Sequence, residues 1–191
     1  GLAAVQHKGR WGFMSKTGDW HIKPQYSSTG NFKEDIVWVR DRQFKYINKA
    51  GQTEIEDNNF IALNDFEDGV ARVKLRQKGS GLMLRDGSWL VKPKSAWYKI
   101  EPFDSMGIAR VRVGNRYELL RHDGVQPSKK GYAFIGDFHH GYATMRPYIP
   151  GTKSNSHFGL IDTSGKVLIA PKYIWLGDVH QNRLWYKDKG K

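Results

Sequence analysis

The chain has 191 residues, 39% of them hydrophobic and 13% aromatic, and its 31 Lys+Arg against 19 Asp+Glu give a formal charge of +12. It has no cysteine, which excludes disulfide stapling, thiolate metal sites and cysteine nucleophiles, and no stretch approaches the roughly 18 apolar residues of a spanning helix. The positive excess attracts polyanions (nucleic acid, anionic lipid, acidic glycan or an acidic protein) without choosing among them; a surface that is basic only for solubility is the plain alternative.

In chain order, Gly1-Leu2-Ala3-Ala4-Val5 alternates as a strand does, and Trp11-Gly12-Phe13-Met14 supplies a second strand. Gly18 then makes a turn, a third strand is expected to end at Pro24, and a looser segment runs to Phe32. The same order returns four times, with openings at Asp35-Ile36-Val37-Trp38-Val39, Gly69-Val70-Ala71-Arg72-Val73, Gly107-Ile108-Ala109-Arg110-Val111 and Gly141-Tyr142-Ala143-Thr144-Met145. Second strands follow at Phe44–Ile47, Gly81–Leu84, Tyr117–Leu120 and Phe158–Ile161, with turns at Gly51, Gly87, Gly124 and Gly165. Asp86-Gly87 and Asp123-Gly124 are hairpin signals, because Gly accepts the positive φ such turns require. Pro93 and Pro171 close third strands, and Phe66, Phe103 and Phe138 end the looser segments.

The openings lie 34, 34, 38 and 34 residues apart. A period of this size marks a repeat architecture, which more often builds a recognition surface than a catalytic pocket. The repeats run approximately 1–34, 35–68, 69–106, 107–140 and 141–181, with a partial sixth at 182–191. The expected fold is all-β: one array of tandem antiparallel three-strand meanders in an open, solenoid-like superhelical stack. A five-bladed propeller is the alternative, its common blades being longer, at roughly 40–45 residues.

The stretch GLAAVQHKGRWGFMSKTGDWHIKPQY, residues 1–26, resembles a unit of the bacterial WG-repeat family, also called KWG repeats, as does HFGLIDTSGKVLIAPKY, residues 157–173. In the middle repeats Trp-Gly becomes Phe44-Lys45, Ser80-Gly81 and Arg116-Tyr117. The resemblance implies a bacterial protein, often exported or envelope-associated, whose repeats bind or build; it brings no catalytic residue and no cofactor. The envelope or exterior is therefore the favoured location, with the cytoplasm open. At the far end, Asn182-Arg183-Leu184-Trp185-Tyr186-Lys187 has the form of a sixth opening strand, and Lys187–Lys191 mirrors Gln6–Arg10. The chain is then either part of a longer array or multidomain protein, or closed by a capping strand.

The sixth position of the opening strands reads Gln6, Arg40, Lys74, Arg112, Arg146 and Lys187, basic in every repeat but the first. Positions three and five are small or apolar and mark the core side, so alternation puts positions four and six on the opposite face. Position four there reads Ala4, Trp38, Arg72, Arg110, Thr144 and Trp185. The expected result is a basic stripe of Arg40, Arg72, Lys74, Arg110, Arg112, Arg146 and Lys187, with Trp38 and Trp185 as stacking faces. Such a stripe suits a chain-like polyanion. The competing reading pairs each cation with a nearby acid among Glu34, Asp65, Glu67, Asp68, Asp104, Asp137 and Asp178.

Other groups point to ordinary structure. His139 and His140 would face opposite sides of a strand and read as a surface turn, poorly placed for one metal ion even with His157 and His180 further on. Gly79-Ser80-Gly81 reads as a hairpin turn, and Glu56-Asp57 as a weak imitation of glycosidase carboxylates. Trp11 and Phe158 are expected to be largely buried. The insertion Pro147–Ser156 is either a binding-face loop or drift in a tolerant turn. Function is expected to be non-enzymatic: a module for an anionic polymer (cell-envelope glycan or nucleic acid), needing no metal or cofactor. The alternative is a protein-interaction scaffold in a bacterial surface or secretion assembly.

Overall fold

Short alternating segments separated by Gly-centred turns give an all-β chain with no helix among the described residues. The computed structural model describes residues 1–128, 130–151, 157–177 and 183–188, in two compact units, Gly1–Ser95 and Ala96–Lys191. In the first unit, β1 (Ala3–His7), β2 (Arg10–Met14) and β3 (Trp20–Tyr26) form one sheet. A second comprises β4 (Ser28–Thr29), β5 (Ile36–Arg40), β6 (Phe44–Asn48) and β7 (Thr53–Glu56). A third comprises β8 (Phe60–Leu63), β9 (Val70–Leu75), β10 (Gly79–Leu84) and β11 (Trp89–Lys94).

The second unit has β12 (Lys99–Ile100), β13 (Ile108–Val113), β14 (Arg116–Arg121), β15 (Tyr132–Ile135), β16 (Tyr142–Pro147), β17 (Phe158–Asp162) and β18 (Val167–Tyr173) in one seven-stranded sheet. Its β19 (Trp175–Leu176) and β20 (Tyr186–Lys187) pair separately. Among the described residues every pairing is antiparallel and no sheet closes into a barrel.

The expected three-strand meander is present, but the looser segment is itself a strand that pairs forward. The strands β4, β8, β12 and β15 each hydrogen-bond to the opening strand of the following repeat, as in Ser28↔Arg40 and Lys99↔Arg112. Their backbone donors and acceptors need partners, and the next opening strand offers a free edge. At two to four residues they are too short to betray themselves by alternation. The fourth repeat differs: among its described residues no third strand follows β14, and the return is held by Arg121 N–H donating to Val125 O at 2.8 Å. Gln126-Pro127 stands where that strand would run, and proline has no N–H for a ladder.

Between β8 and β9, and between β15 and β16, the chain reverses through two residues that are both left-handed: Asp68 (φ 50°) with Gly69 (φ 77°), and His140 (φ 52°) with Gly141 (φ 86°). Each is closed by a reciprocal backbone pair, Glu67 with Val70 and His139 with Tyr142. This is the mirror-image turn that matches strand twist, and it places the His139-His140 pair in a surface turn.

In the first unit the sheets pack face to face. Phe13, Ile22 and Tyr26 of the first sheet meet Val37, Val39 and Ile47 of the second. The other face of the second sheet, Ile36 and Tyr46 with Trp38, meets Ala71, Val73 and Met83 of the third. In the second unit, Ile108 and Leu119 from β13 and β14 meet Ala143, Met145 and Ile161 from β16 and β17 of the same sheet. The opening strands β5, β9, β13 and β16 are thus covered on both faces over most of their length, which corrects the expectation that position four looks into solvent. Thr144 is buried, and Trp38, Arg72 and Arg110 are half-buried.

The three prolines expected at strand ends lie inside β3, β11 and β18, each at a register shift opposite the glycine of the second strand. A Cβ on Gly12 would stand 2.5 Å from Ile22 O and 2.7 Å from Pro24 N; on Gly81, 2.5 Å from Val91 O and 2.8 Å from Pro93 N; on Gly159, 2.5 Å from Ile169 O and 3.0 Å from Pro171 N. The bulged third strand therefore presses its backbone onto the second, and only glycine leaves room. In the second repeat Lys45 replaces the glycine, no proline follows, and Lys45 pairs directly with Glu56. Burial also corrects the fourth repeat's alignment. Leu119 is enclosed as Phe13, Tyr46, Leu82 and Leu160 are, so Tyr117-Glu118, not Arg116-Tyr117, stands in the place of Trp11-Gly12.

Trp11 and Phe158, expected to be largely buried, are half-buried; Phe13 and Leu160, two residues on along the same face, take the enclosed places. Trp11→Ala is accordingly expected to cost about 2 kcal/mol, less than the roughly 3–5 kcal/mol of an enclosed tryptophan. The midpoint of urea unfolding measures it; a loss within the enclosed range would contradict the half-buried placement.

Candidate functional site

The cationic row separates into residues that are engaged and residues that are displayed. Arg110, at position four, is engaged: Nε donates to Glu101 at 2.7 Å, Nη1 lies 2.8 Å from Asp137 and also reaches Ile135 O at 3.3 Å. Arg72 is half-buried, and burial lowers its guanidinium pKa against the opposing pull of Glu67, Tyr46 and Asp65. For these two, the acid-pairing reading accounts for much of the charge.

Position six behaves differently because it faces the Trp-Gly site across the hairpin. Arg40 pairs in register with Phe44 and lies 5.1 Å from its ring centroid. Arg146 sits between two rings, 5.5 Å from Phe134 and 5.1 Å from Phe158. Arg112 pairs with Tyr117 across the strands and lies 5.9 Å from the Tyr98 ring. A guanidinium over an aromatic face keeps its charge while its stem is held. Arg40 and Arg112 are exposed, and among the described residues neither has a carboxylate within ion-pair distance. Lys74 and Arg146 are half-buried, and Lys187 is exposed on β20.

Of the two stacking candidates, Trp38 is packed against the core and tilted on Phe44 at 5.9 Å, so its face is not displayed. Trp185 is 77% exposed. It lies in the chain beside Tyr186 of the antiparallel β19–β20 pair, whose Trp175 and Tyr186 are also exposed.

The acids offered as partners for the cations have largely structural tasks. Glu34 accepts from the Gly69 N–H at 3.0 Å, Glu67 pairs with Lys33 at 3.0 Å, and Asp104 accepts from the Phe138 N–H at 3.2 Å. These contacts span 34 or 35 residues and so join the turn before β5 to the turn before β9 in the first unit, and the turn before β13 to the segment before β16 in the second. Asp65 does likewise, accepting from the Asn31 N–H at 3.5 Å, while burial pushes its carboxyl up. Asp178, His180, Asn182 and the terminal Lys189–Lys191 lie outside the described residues, as does most of the insertion, 152–156.

Two concavities escaped the alternation argument. In the second unit a small cavity of about 210 Å³ is lined by Arg112, Gly114, Asn115, Arg116 and Tyr117. The tight Gly114-Asn115 hairpin, with Gly114 at φ 56°, brings its two arginines together. Arg-x-Gly-Asn-Arg was the sequence signal for it. In the first unit a groove of about 560 Å³ includes Gln77, Lys78, Trp89 and Lys92. No sequence motif announces it, since its walls come from a hairpin and from a strand that follows later. Gly79-Ser80-Gly81, expected to be a hairpin turn, is instead the beginning of β10. Asp57 closes its own turn by accepting from Asn59 N and Nδ2, both at 2.8 Å, and Glu56 is exposed on β7.

The model of the WG containing repeat matches residues 11–42 and 158–191. No curated protein sequence matches the chain. Among solved structures, the computationally designed Ika8 protein is similar at 12% identity and TM-score 0.48, over 98% of this chain and 64% of that one. The WD40 beta propeller domain of Doa1 is similar at 17% identity and TM-score 0.43, over 87% of this chain and 64% of that one. A protein of unknown function from Bacteroides caccae follows at 14% identity and TM-score 0.36, over 88% and 77%. This chain thus spans less than two thirds of the length of the first two. Trp11-Gly12 and Phe158-Gly159, each seated against a proline bulge, lie in the two segments that match the WG containing repeat, which is consistent with a WG-repeat family.

Proposed function

We propose that the protein is a non-enzymatic binding module for an anionic polymer, an acidic cell-envelope glycan or a nucleic acid. Arg40 and Arg112 carry the reading: each is exposed, held over an aromatic ring, and free of a carboxylate among the described residues. A charge fixed on a ring loses less side-chain freedom on meeting a phosphate, sulfate or carboxylate. Arg116 and Asn115 extend the site beside Arg112.

Binding to heparin and to single-stranded DNA is expected to weaken steeply as salt rises. Arg40→Gln and Arg112→Gln should each flatten the slope of log K against log salt by about 0.7 for single strands. Unchanged slopes in both variants would overturn the assignment, and the preferred polymer tells glycan from nucleic acid. The scaffold reading draws on a different observation, the exposed Trp175, Trp185 and Tyr186. Partner binding through those rings would resist salt.

A further inference from the structure

We infer that the groove in the first unit is a seat for one acidic saccharide residue, with the sugar ring on Trp89 and its negative group between Lys78 and Lys92. The inference rests on the reading of the chain as an anionic-polymer module and gives that module a sugar-specific contact. At about 560 Å³ the groove falls within the usual size of a small-ligand site. It is far too small for a length of polymer.

The groove's parts are held in different ways. Its base includes Leu75, buried at 4% exposure, and the indole of Trp89, which packs against the core formed by the second and third sheets. Trp89 is paired opposite Met83 in the β10–β11 ladder, so its backbone is fixed. A rigid, half-covered indole offers a flat apolar face with little entropy left to lose. The C–H face of a pyranose matches it.

Charge comes from the rim. Lys78 and Lys92 are exposed, and among the described residues neither ammonium has a carboxylate within ion-pair distance. Lys78 is presented by the β9–β10 hairpin, whose Gln77 is left-handed at φ 60°, and Lys92 by β11. The two cations approach the groove from different elements, one from a hairpin turn and one from a strand. Asp57 also lines it, with its carboxylate already satisfied by Asn59. That carboxylate can still accept from a sugar hydroxyl, whereas it would repel a doubly charged phosphate. Aromatic face, cations and acceptor together select a uronate or a singly sulfated sugar over a nucleotide.

The test is titration of the intact protein with digalacturonate, with neutral cellobiose and uridine monophosphate as comparisons, read by tryptophan fluorescence and by calorimetry. Digalacturonate should bind, cellobiose far more weakly, and Trp89→Phe should remove most of the fluorescence change. Lys78→Gln with Lys92→Gln should weaken digalacturonate by about tenfold or more, since bonds to charged groups are the strong ones. Equal binding of cellobiose, tighter binding of uridine monophosphate, or indifference to the double lysine change would each overturn the seat. If digalacturonate fails while polymer binding keeps its Arg40 and Arg112 salt dependence, the groove assignment alone falls. If digalacturonate binds and no polymer does, the polymer reading alone falls.

Discussion

Gly81→Ala is expected to lower the stability of the protein by about 3 kcal/mol or more, the upper part of the range for overpacked sites. The added methyl would meet Val91 O at 2.5 Å, Pro93 N at 2.8 Å and Pro93 Cα at 3.1 Å. All three are backbone atoms in a bulge whose proline ring limits its adjustment. No rotamer change relieves the clash; the two strands must part. Gly12→Ala and Gly159→Ala should behave alike, because their contacts repeat the same geometry. Lys45→Ala is the control. It stands at the same repeat position, where the ladder pairs it directly with Glu56 and shifts register only beyond Tyr46, and should change stability by no more than about 0.5 kcal/mol. Urea unfolding of the four variants decides it, and a loss below about 1 kcal/mol at Gly81 would mean that the bulge yields.

Tyr46→Ala is expected to cost about 4 kcal/mol, within the range for enclosed aromatic side chains. Tyr46 is fully enclosed, its ring lies 4.9 Å from that of Phe66, and its hydroxyl donates to Asn64 O at 2.6 Å. Tyr46→Phe separates the contributions. Keeping the ring and losing the hydroxyl leaves Asn64 O short of a donor and should cost about 1 kcal/mol. Burial pushes the phenol pKa up, so the donor stays protonated across the working pH range and the cost should not vary with pH there. Equal losses in the two variants would assign the stability to the hydrogen bond rather than the ring.

What the sequence displayed was whatever obeys a short period. The opening strands and their hairpin partners were legible because positions three and five stay small or apolar from Val37 and Val39 to Ala143 and Met145. The alternation argument then failed on the other face. Ile36, Val70 and Ile108 at position two, all buried, were the neglected sign that both faces of these strands are covered. Ser28-Thr29 and Lys99-Ile100 could not be read as strands at all, since two residues carry no period and their pairing is decided by a neighbour about a dozen residues later. The basic row was legible as chemistry but not as environment. Nothing in the residue types says that Arg110 would meet Glu101 while Arg112, two positions on, would lie over Tyr98. The Trp89 groove was invisible for the same reason: its walls meet only after the meander has folded.

The forward pairing of each repeat's last strand also bears on how such a chain can lengthen. A stretch copied from one opening residue to the next, such as Asp35 to Asp68, carries the three strands of one sheet and the edge strand of the sheet that follows. Duplicated in tandem, it brings its own complement: the incoming opening strand receives an edge from the copy before it and passes one to the copy after. The genetic module and the folded sheet are offset by one strand, so a duplication in phase with the glycine-led openings satisfies every ladder. A cut made at the sheet boundary would also keep the pairing, but one made inside a hairpin would strand an unpaired edge on both sides of the join. Growth by whole copies is thereby favoured, while each copy's second strand is left to diverge, as Lys45 has where others keep glycine.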